Sequence, residues 1–295
     1  MIYRLLLIGQ FDSQDATSAK FFSEEFLCRF RQLGHTVLPL DFHSTEFPTA
    51  DVVLIHSYHG TPALRAFPSF RQYVRYSAMF MEVPCNIGCD HYFYYDGRSY
   101  PQIAPEKLTM ISAPVVRSYY RDVPKLPGSI LLDHDVSFLP LHDNLEYDWN
   151  RLIWSELARR RDDFSEVYQL ERGDPGEHPE FIKIVPLSNH QDYLARTAGF
   201  ETFICTHAGS YNHTVVDMVA RGTRVVVPAT LRGPFVPPSL TELFGMKIYN
   251  DVHSLLAECF EPANKAVAPL AKTTDLDTIV QMIDAKFRAA MSAAS

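Results

Sequence analysis

The stretch from Phe203 to Pro228, FICTHAGSYNHTVVDMVARGTRVVVP, constrains the fold more than any other part of the chain. Its two apolar runs, Phe203-Ile204-Cys205 and Arg224-Val225-Val226-Val227, read as buried strands. Between them lie a short Gly-containing loop and a helix that Gly222 should stop. Two buried strands joined through a helix predict a parallel βαβ unit. The loop then runs from a strand's carboxyl end into a helix N-terminus, where unpaired N–H groups and a positive dipole end suit phosphate. The side chains there are polar: His207, Ser210, Asn212, His213 and Thr214, with Asp217 about one turn into the helix. Nucleotide chemistry fits such a place. So does an ordinary βαβ turn, with Asn212 or Thr214 capping the helix and Asp217 answering its dipole.

The order His207-Ala208-Gly209, Asp217, Gly222, Val225 to Val227, Pro228 resembles the donor-nucleotide half of GT-B glycosyltransferases. That resemblance implies that His207, Ala208, Gly209, Ser210, Asn212 and Thr214 surround the diphosphate of a nucleotide sugar. It implies that Asp217 accepts hydrogen bonds from the donor ribose. Against the family pattern the loop is a residue or two longer, Asp stands for the commoner Glu, and no clear Arg/Lys pair faces the diphosphate. The likeness holds at motif level over residues 182 to 260 and as an architecture over the whole chain.

The N-terminal half alternates strands and helices. Tyr3 to Ile8 reads as a strand buried on both faces, and Phe22, Phe26, Phe30 and Leu33 form one stripe of a helix that Gly34 stops. Strands are predicted at Thr36 to Leu40, Asp51 to His56 and Ala78 to Val83, with a helix around Thr61 to Tyr76. Such an order predicts a parallel, doubly wound α/β sheet whose ligands sit outside the strands' carboxyl ends. Those ends carry Gln10, Asp12 and Asp15, then His56, Tyr58 and His59, then Glu82. A carboxylate or imidazole there can take the proton of an acceptor hydroxyl, which makes Asp12, Asp15, His59 and Glu82 the candidate bases. Plainer explanations are a helix cap for Asp12, a hydrogen-bonded surface position for each histidine and a paired carboxylate for Glu82.

The stretch Arg121 to Gly128, RDVPKLPG, reads as a linker because Pro and Gly interrupt helix and ladder alike. A strand at Ser129 to Leu132 follows, ending in Asp133-His134-Asp135, where His134 is placed to meet a departing phosphate or to join a local turn network. Further elements are predicted near Tyr147 to Arg161, Glu166 to Leu170, Ile182 to Pro186, Asn189 to Thr197, Leu243 to Tyr249, Val252 to Phe260 and Asp275 to Met291. The expected plan is two Rossmann-like domains facing a cleft, with parallel sheets. Residues 1–123 would form an acceptor domain, 124–274 a nucleotide-sugar donor domain, and 275–295 a helix packing back on the first.

Composition narrows the partners. A formal net charge of −8 offers no general attraction for nucleic acid or an anionic membrane. Five scattered cysteines fit reduced thiols in a cytoplasmic protein better than a disulfide frame. No apolar run is long enough to span a bilayer, and neither GxxxxGK[ST] nor GxGxxG occurs. Cys85, Cys89 and His91 lack a fourth ligand at a zinc spacing, so no metal is expected. With the GT-B resemblance, these features lead to a metal-independent glycosyltransferase of glycan or polysaccharide biosynthesis. It would hold no tightly bound cofactor and would take a nucleotide-sugar co-substrate and a glycan, lipid-linked or small-molecule acceptor. A nucleotide-sugar epimerase and a non-catalytic binding protein are the alternatives.

Overall fold

The computed structural model describes residues 1–12, 18–56, 61–81, 86–94, 101–133, 145–170, 178–186, 189–205, 213–228, 247–249, 251–260 and 273–293. The chain divides into two compact units, Met1–Val116 with Thr274–Ser295, and Arg117–Thr273.

In the first unit, β1 (Arg4–Gly9), α1 (Ser18–Gln32), β2 (Thr36–Asp41), β3 (Val52–Ile55), α2 (Pro62–Phe70), β4 (Tyr76–Met81), β5 (His91–Tyr94) and β6 (Leu108–Met110) follow one another. The sheet order is β2-β1-β3-β4-β5-β6 and every pairing is parallel. Parallel strands need both faces covered, which explains why Leu5 through Ile8 and Val52 through Ile55 are all buried. Alternate residues choose the layer. Leu6, Ile8, Val53, Ile55 and Met79 pack with Ala63, Leu64 and Phe67 of α2, whereas Phe80 meets Phe26 of α1 with ring centroids 5.0 Å apart. The predicted helix at Thr61 to Tyr76 is shorter than expected. Thr61 caps α2, the helix stops at Phe70, and a single 3-10 turn covers Arg71–Tyr73.

The second unit runs β8 (Leu126–Asp133), α3 (Leu145–Arg159), β9 (Glu166–Leu170), β10 (Ile182–Val185), α4 (His190–Arg196), β11 (Phe200–Cys205), α5 (His213–Ala220), β12 (Arg224–Pro228), β13 (Lys247–Tyr249) and α6 (Val252–Phe260). Its order is β10-β9-β8-β11-β12-β13, again parallel throughout. Ile130 and Leu132 face a layer containing Ile153 and Leu157 of α3 and Leu255 and Leu256 of α6. Leu131 faces Tyr193 and Leu194 of α4 and Val215, Met218 and Val219 of α5.

Two short strands, β7 (Ala113–Val115) and β14 (Thr273–Asp275), pair with each other, and α7 (Leu276–Ala293) closes the chain within the first unit. Leu276, Ile279, Val280, Ile283, Phe287 and Met291 recur at helical spacing and are all buried.

One linker expectation is corrected. The stretch Leu126-Pro127-Gly128 already belongs to β8, because a bulge absorbs the residues that would break a regular ladder. Between the paired positions, β8 advances from Leu126 to Ile130 while β11 advances only from Phe200 to Thr202. Gly128 adopts φ 70°, a left-handed value, and a Cβ there would stand 3.2 Å from the Ser165 nitrogen.

Candidate functional site

Numbered from its own first strand, the second sheet reads 3-2-1-4-5-6, so its connections reverse direction between β8 and β11. Crevices for ligands open at the carboxyl ends of such a strand pair. Asp133 ends β8, fully buried and in register with Cys205 at the end of β11. Beyond Cys205 the chain enters α5, whose eight residues are all buried. A carboxylate on such a helix requires partners.

Asp217 finds them within its own unit. Tyr120, just past the 3-10 turn at Arg117–Tyr119, donates its phenol to Asp217 Oδ1 at 2.6 Å. His190 Nε2 stands 3.1 Å from Oδ2. That contact has the length of an ion pair but not the line-up of a hydrogen bond, and Oδ2 accepts none among the described residues. Burial, then the Asp217 charge and the hydrogen bond to it, pushes the Tyr120 phenol up, so it remains a donor at every physiological pH. His213, at the first position of α5, is pushed down to about 4 by burial; the Asp217 charge opposes this and His190 reinforces it. Around Asp217 the phenol and His213 are therefore neutral at pH 7. Thr214 is buried, and its backbone carbonyl accepts from the Tyr193 hydroxyl at 3.3 Å. Of the donor-side candidates, Thr214 and Asp217 are described, buried and three positions apart on α5. His134, His207, Ala208, Gly209, Ser210 and Asn212 lie outside the described residues.

The first sheet reads 2-1-3-4-5-6 and reverses between β1 and β3. At those carboxyl ends stand Gln10 and His56, the latter extending the ladder through its N–H to Ile8 O at 2.7 Å. Ser23 of α1 joins them, with Oγ 3.0 Å from His56 Nδ1 and accepting from Gln10 N at 3.1 Å. Asp41, at the end of β2, accepts from the backbone N–H groups of Phe11, Asp12 and His43 at 2.8, 3.0 and 3.0 Å. Burial works against its charge, but the N–H groups of Asp12, Phe11 and His43 prevail and hold the Asp41 carboxyl below its usual value. Residues 10–12 after β1 are thus tied down by their backbone N–H groups, while Asp12 keeps an exposed position. Asp15, His59 and Glu82 lie outside the described residues.

Sequence reasoning did not single out His190 or Ser23, and it took Tyr119-Tyr120 only as an aromatic pair able to stack on a sugar or base or to pack in a core. Tyr120 reads as one of an aromatic pair and Ser23 as an ordinary helix residue, because their partners lie 97 and 33 residues away. Among the described residues, no group of three or more His, Cys, Asp and Glu side chains could hold a metal ion. No described helix is long and apolar enough to cross a membrane.

The two parallel sheets and their switch points are those of the GT-B fold, with two Rossmann-like units. Solved structures with that fold align over nearly the whole chain. Anabaena HepE in complex with UDP and glucose is 11% identical with a TM-score of 0.59, covering 96% of this chain and 99% of its own. The UDP-GlcNAc 2-epimerase of Methanocaldococcus jannaschii, in complex with UDP-GlcNAc and UDP, is 8% identical at TM-score 0.59 with the same coverage of both chains. An alpha-glucosyltransferase in complex with UDP and a 13-mer DNA is 12% identical at TM-score 0.56, covering 97% and 99%. No protein-family model and no curated sequence matches this chain.

Proposed function

We propose that the protein is a glycosyltransferase that moves a sugar from a nucleoside diphosphate to an acceptor hydroxyl in glycan synthesis. The observation that carries this reading is Asp217 Oδ2, a buried carboxylate oxygen without a hydrogen bond among the described residues, on the helix that follows the second sheet's switch point. An orphaned buried acceptor is costly unless something completes it, and a ribose hydroxyl is a donor of the right kind. The N-terminal amides of α5, with His207 to Asn212 before them in the sequence, suit the diphosphate without a resident metal. The likeness to UDP-sugar enzymes makes uridine the first base to try. In this reading the first unit takes the acceptor at its own carboxyl ends, with the base among Asp12, Asp15, His59 and Glu82.

A panel of UDP, GDP, ADP and their sugars, tested by thermal unfolding, checks it. One nucleotide class at 100 times its Kd should add about 2.7 kcal/mol, and Asp217→Asn should abolish the shift. No response from the folded wild type overturns the reading. The equal likeness to an epimerase favours a second one, in which UDP-GlcNAc is epimerised at C2 without an acceptor. Product analysis by NMR separates the two.

A further inference from the structure

We infer that Lys125 and Arg221 form an anion site at the amino end of the second sheet, suited to a small tetrahedral oxyanion such as phosphate. The site does not depend on the glycosyl-transfer reading, because it lies at the opposite ends of the strands from the proposed nucleotide. Lys125 directly precedes β8, Ala198 lies just before β11, and Thr223 directly precedes β12. Lys125 Nζ donates to Ala198 O at 2.9 Å and to Thr223 Oγ1 at 2.7 Å. Arg221 Nη1 donates to Thr197 Oγ1 at 3.1 Å, next in the chain to Ala198. Both cationic heads are therefore held by the turn that enters β11, and Thr223 ties Lys125 to the turn that carries Arg221. The two threonine protons go to carbonyls, Tyr193 O at 2.7 Å and Phe200 O at 3.3 Å, so each hydroxyl meets its cation as an acceptor.

The charges find no counter-ion there. Every oxygen that these two side chains bind is neutral, and neither cation forms an ion pair among the described residues. The helices α4 and α5 end beside them, but a helix terminus supplies only about half a negative charge, and two full positive charges stand against the two ends. About one positive charge is left over. Donors are left over as well. An ammonium carries three N–H groups, and that of Lys125 has two acceptors. Arg221 Nη2 is buried and makes no hydrogen bond among the described residues. Cations withdrawn from water without an anion are costly, and an oxyanion offers several charged acceptors at once. Burial, then the Arg221 charge, pushes the Lys125 ammonium down to about 8, as a second cation with no anion nearby requires. Both side chains are half-buried, and in the run Arg121 to Pro127 every residue but Lys125 is exposed, so the pair borders solvent.

Phosphate also suits the N-terminus of α5, so the test needs a local readout. The 13Cε NMR signal of Lys125 in the full chain, assigned by its loss in Lys125→Gln, supplies one. Inorganic phosphate should raise the Lys125 midpoint from about 8 to about 9, a tenfold preference of the anion for the ammonium form. Sodium chloride at the same ionic strength should leave it in place, which separates binding from screening. Glycerol 3-phosphate as a second probe tells whether the site takes a phosphate ester as well as the free ion. Arg221→Gln should remove most of the phosphate effect. Calorimetric titration with phosphate should show one site fewer in Lys125→Gln than in the wild type, which keeps the test open where Arg221→Gln does not fold. A Lys125 midpoint that moves equally with phosphate and chloride overturns the inference. So does a phosphate effect undiminished in a folded Arg221→Gln, or an unchanged number of phosphate sites in Lys125→Gln.

Discussion

Each unit buries one aspartate in a similar setting, and the two differ in what is left over. On α7 of the first unit, Asp284 accepts from the Tyr3 phenol at 2.6 Å, stands 3.0 Å from His35 Nε2, and receives Arg288 Nε on its other oxygen at 2.6 Å. On α5 of the second, Asp217 accepts from the Tyr120 phenol at the same 2.6 Å and stands 3.1 Å from His190. An arginine follows four positions later in both, Arg288 and Arg221. Arg288 lies inside α7 and closes the pair, whereas Arg221 falls just beyond the end of α5 and donates to Thr197 Oγ1 at 3.1 Å. Oδ2 of Asp217 and Nη2 of Arg221 are left without hydrogen bonds among the described residues. Complete satisfaction marks a latch, here between the closing helix and the first unit. Unspent bonding capacity at a switch point is the ground on which we propose a ligand there.

Removing each carboxylate gives the largest expected effect. Asp284→Ala leaves Arg288, Tyr3 and His35 without their common partner and should cost about 3–5 kcal/mol in urea unfolding. Asp217→Ala loses fewer bonds and should cost about 1–3 kcal/mol, while abolishing the stabilisation by nucleotide. A larger stability loss at Asp217 with nucleotide binding intact would break the contrast.

Acid should divide the two sites next. His213 has a folded value of about 4 against an ordinary 6.5, so between those values the unfolded chain binds the extra proton. Stability is full above 6.5 and falls as pH drops to 4, by roughly 3 kcal/mol. Asp284 works in a lower window. Burial opposes its charge, but the Tyr3 hydrogen bond and Arg288 hold its carboxyl below 3.8, so its contribution is present above 3.8 and is lost only as pH falls through the folded value. His91 of the first unit is also pushed down to about 4, by burial and then the Lys286 charge, so the measurement compares wild type with His213→Gln. The variant should lose the His213 share of the slope between pH 6.5 and 4 and keep the step below 3.8. An unchanged upper slope would remove His213 from the account.

The alternation of buried strands and striped helices was legible because it is local. Val225 to Val227, the Phe22–Phe26–Phe30 stripe and the 252–260 helix announce themselves within a few residues, and the parallel order of both sheets follows. What was hidden depends on distance or on local compensation. Pro127 and Gly128 read as a break, yet β8 runs through them because its extra residues bulge out opposite β11. The helix of Asp217 could be read, but not that Tyr120, 97 residues earlier, is its hydrogen-bond donor. His56 and His59 looked equivalent in IHSYHG, and only the packing of α1 beside β1 shows that Ser23 addresses His56. The Asp–Arg spacing of four occurs on both helices, and only the end of α5 at Ala220 explains why one pair fails to close.

The smallest expected effect sharpens the comparison most. Tyr3→Phe and Tyr120→Phe each delete one phenol donating at 2.6 Å to a buried carboxylate. At Asp284 the arginine remains, so Tyr3→Phe should cost about 1 kcal/mol. At Asp217 no other hydrogen bond remains among the described residues, so Tyr120→Phe should cost about 2 kcal/mol, within the range for a bond to a charged group. Saturating nucleotide should return part of that loss only in Tyr120→Phe, because a ligand hydroxyl can satisfy Asp217 and none is expected to reach Asp284. Equal costs in the two variants, with no differential rescue, would mean that Asp217 is as fully committed to structure as Asp284.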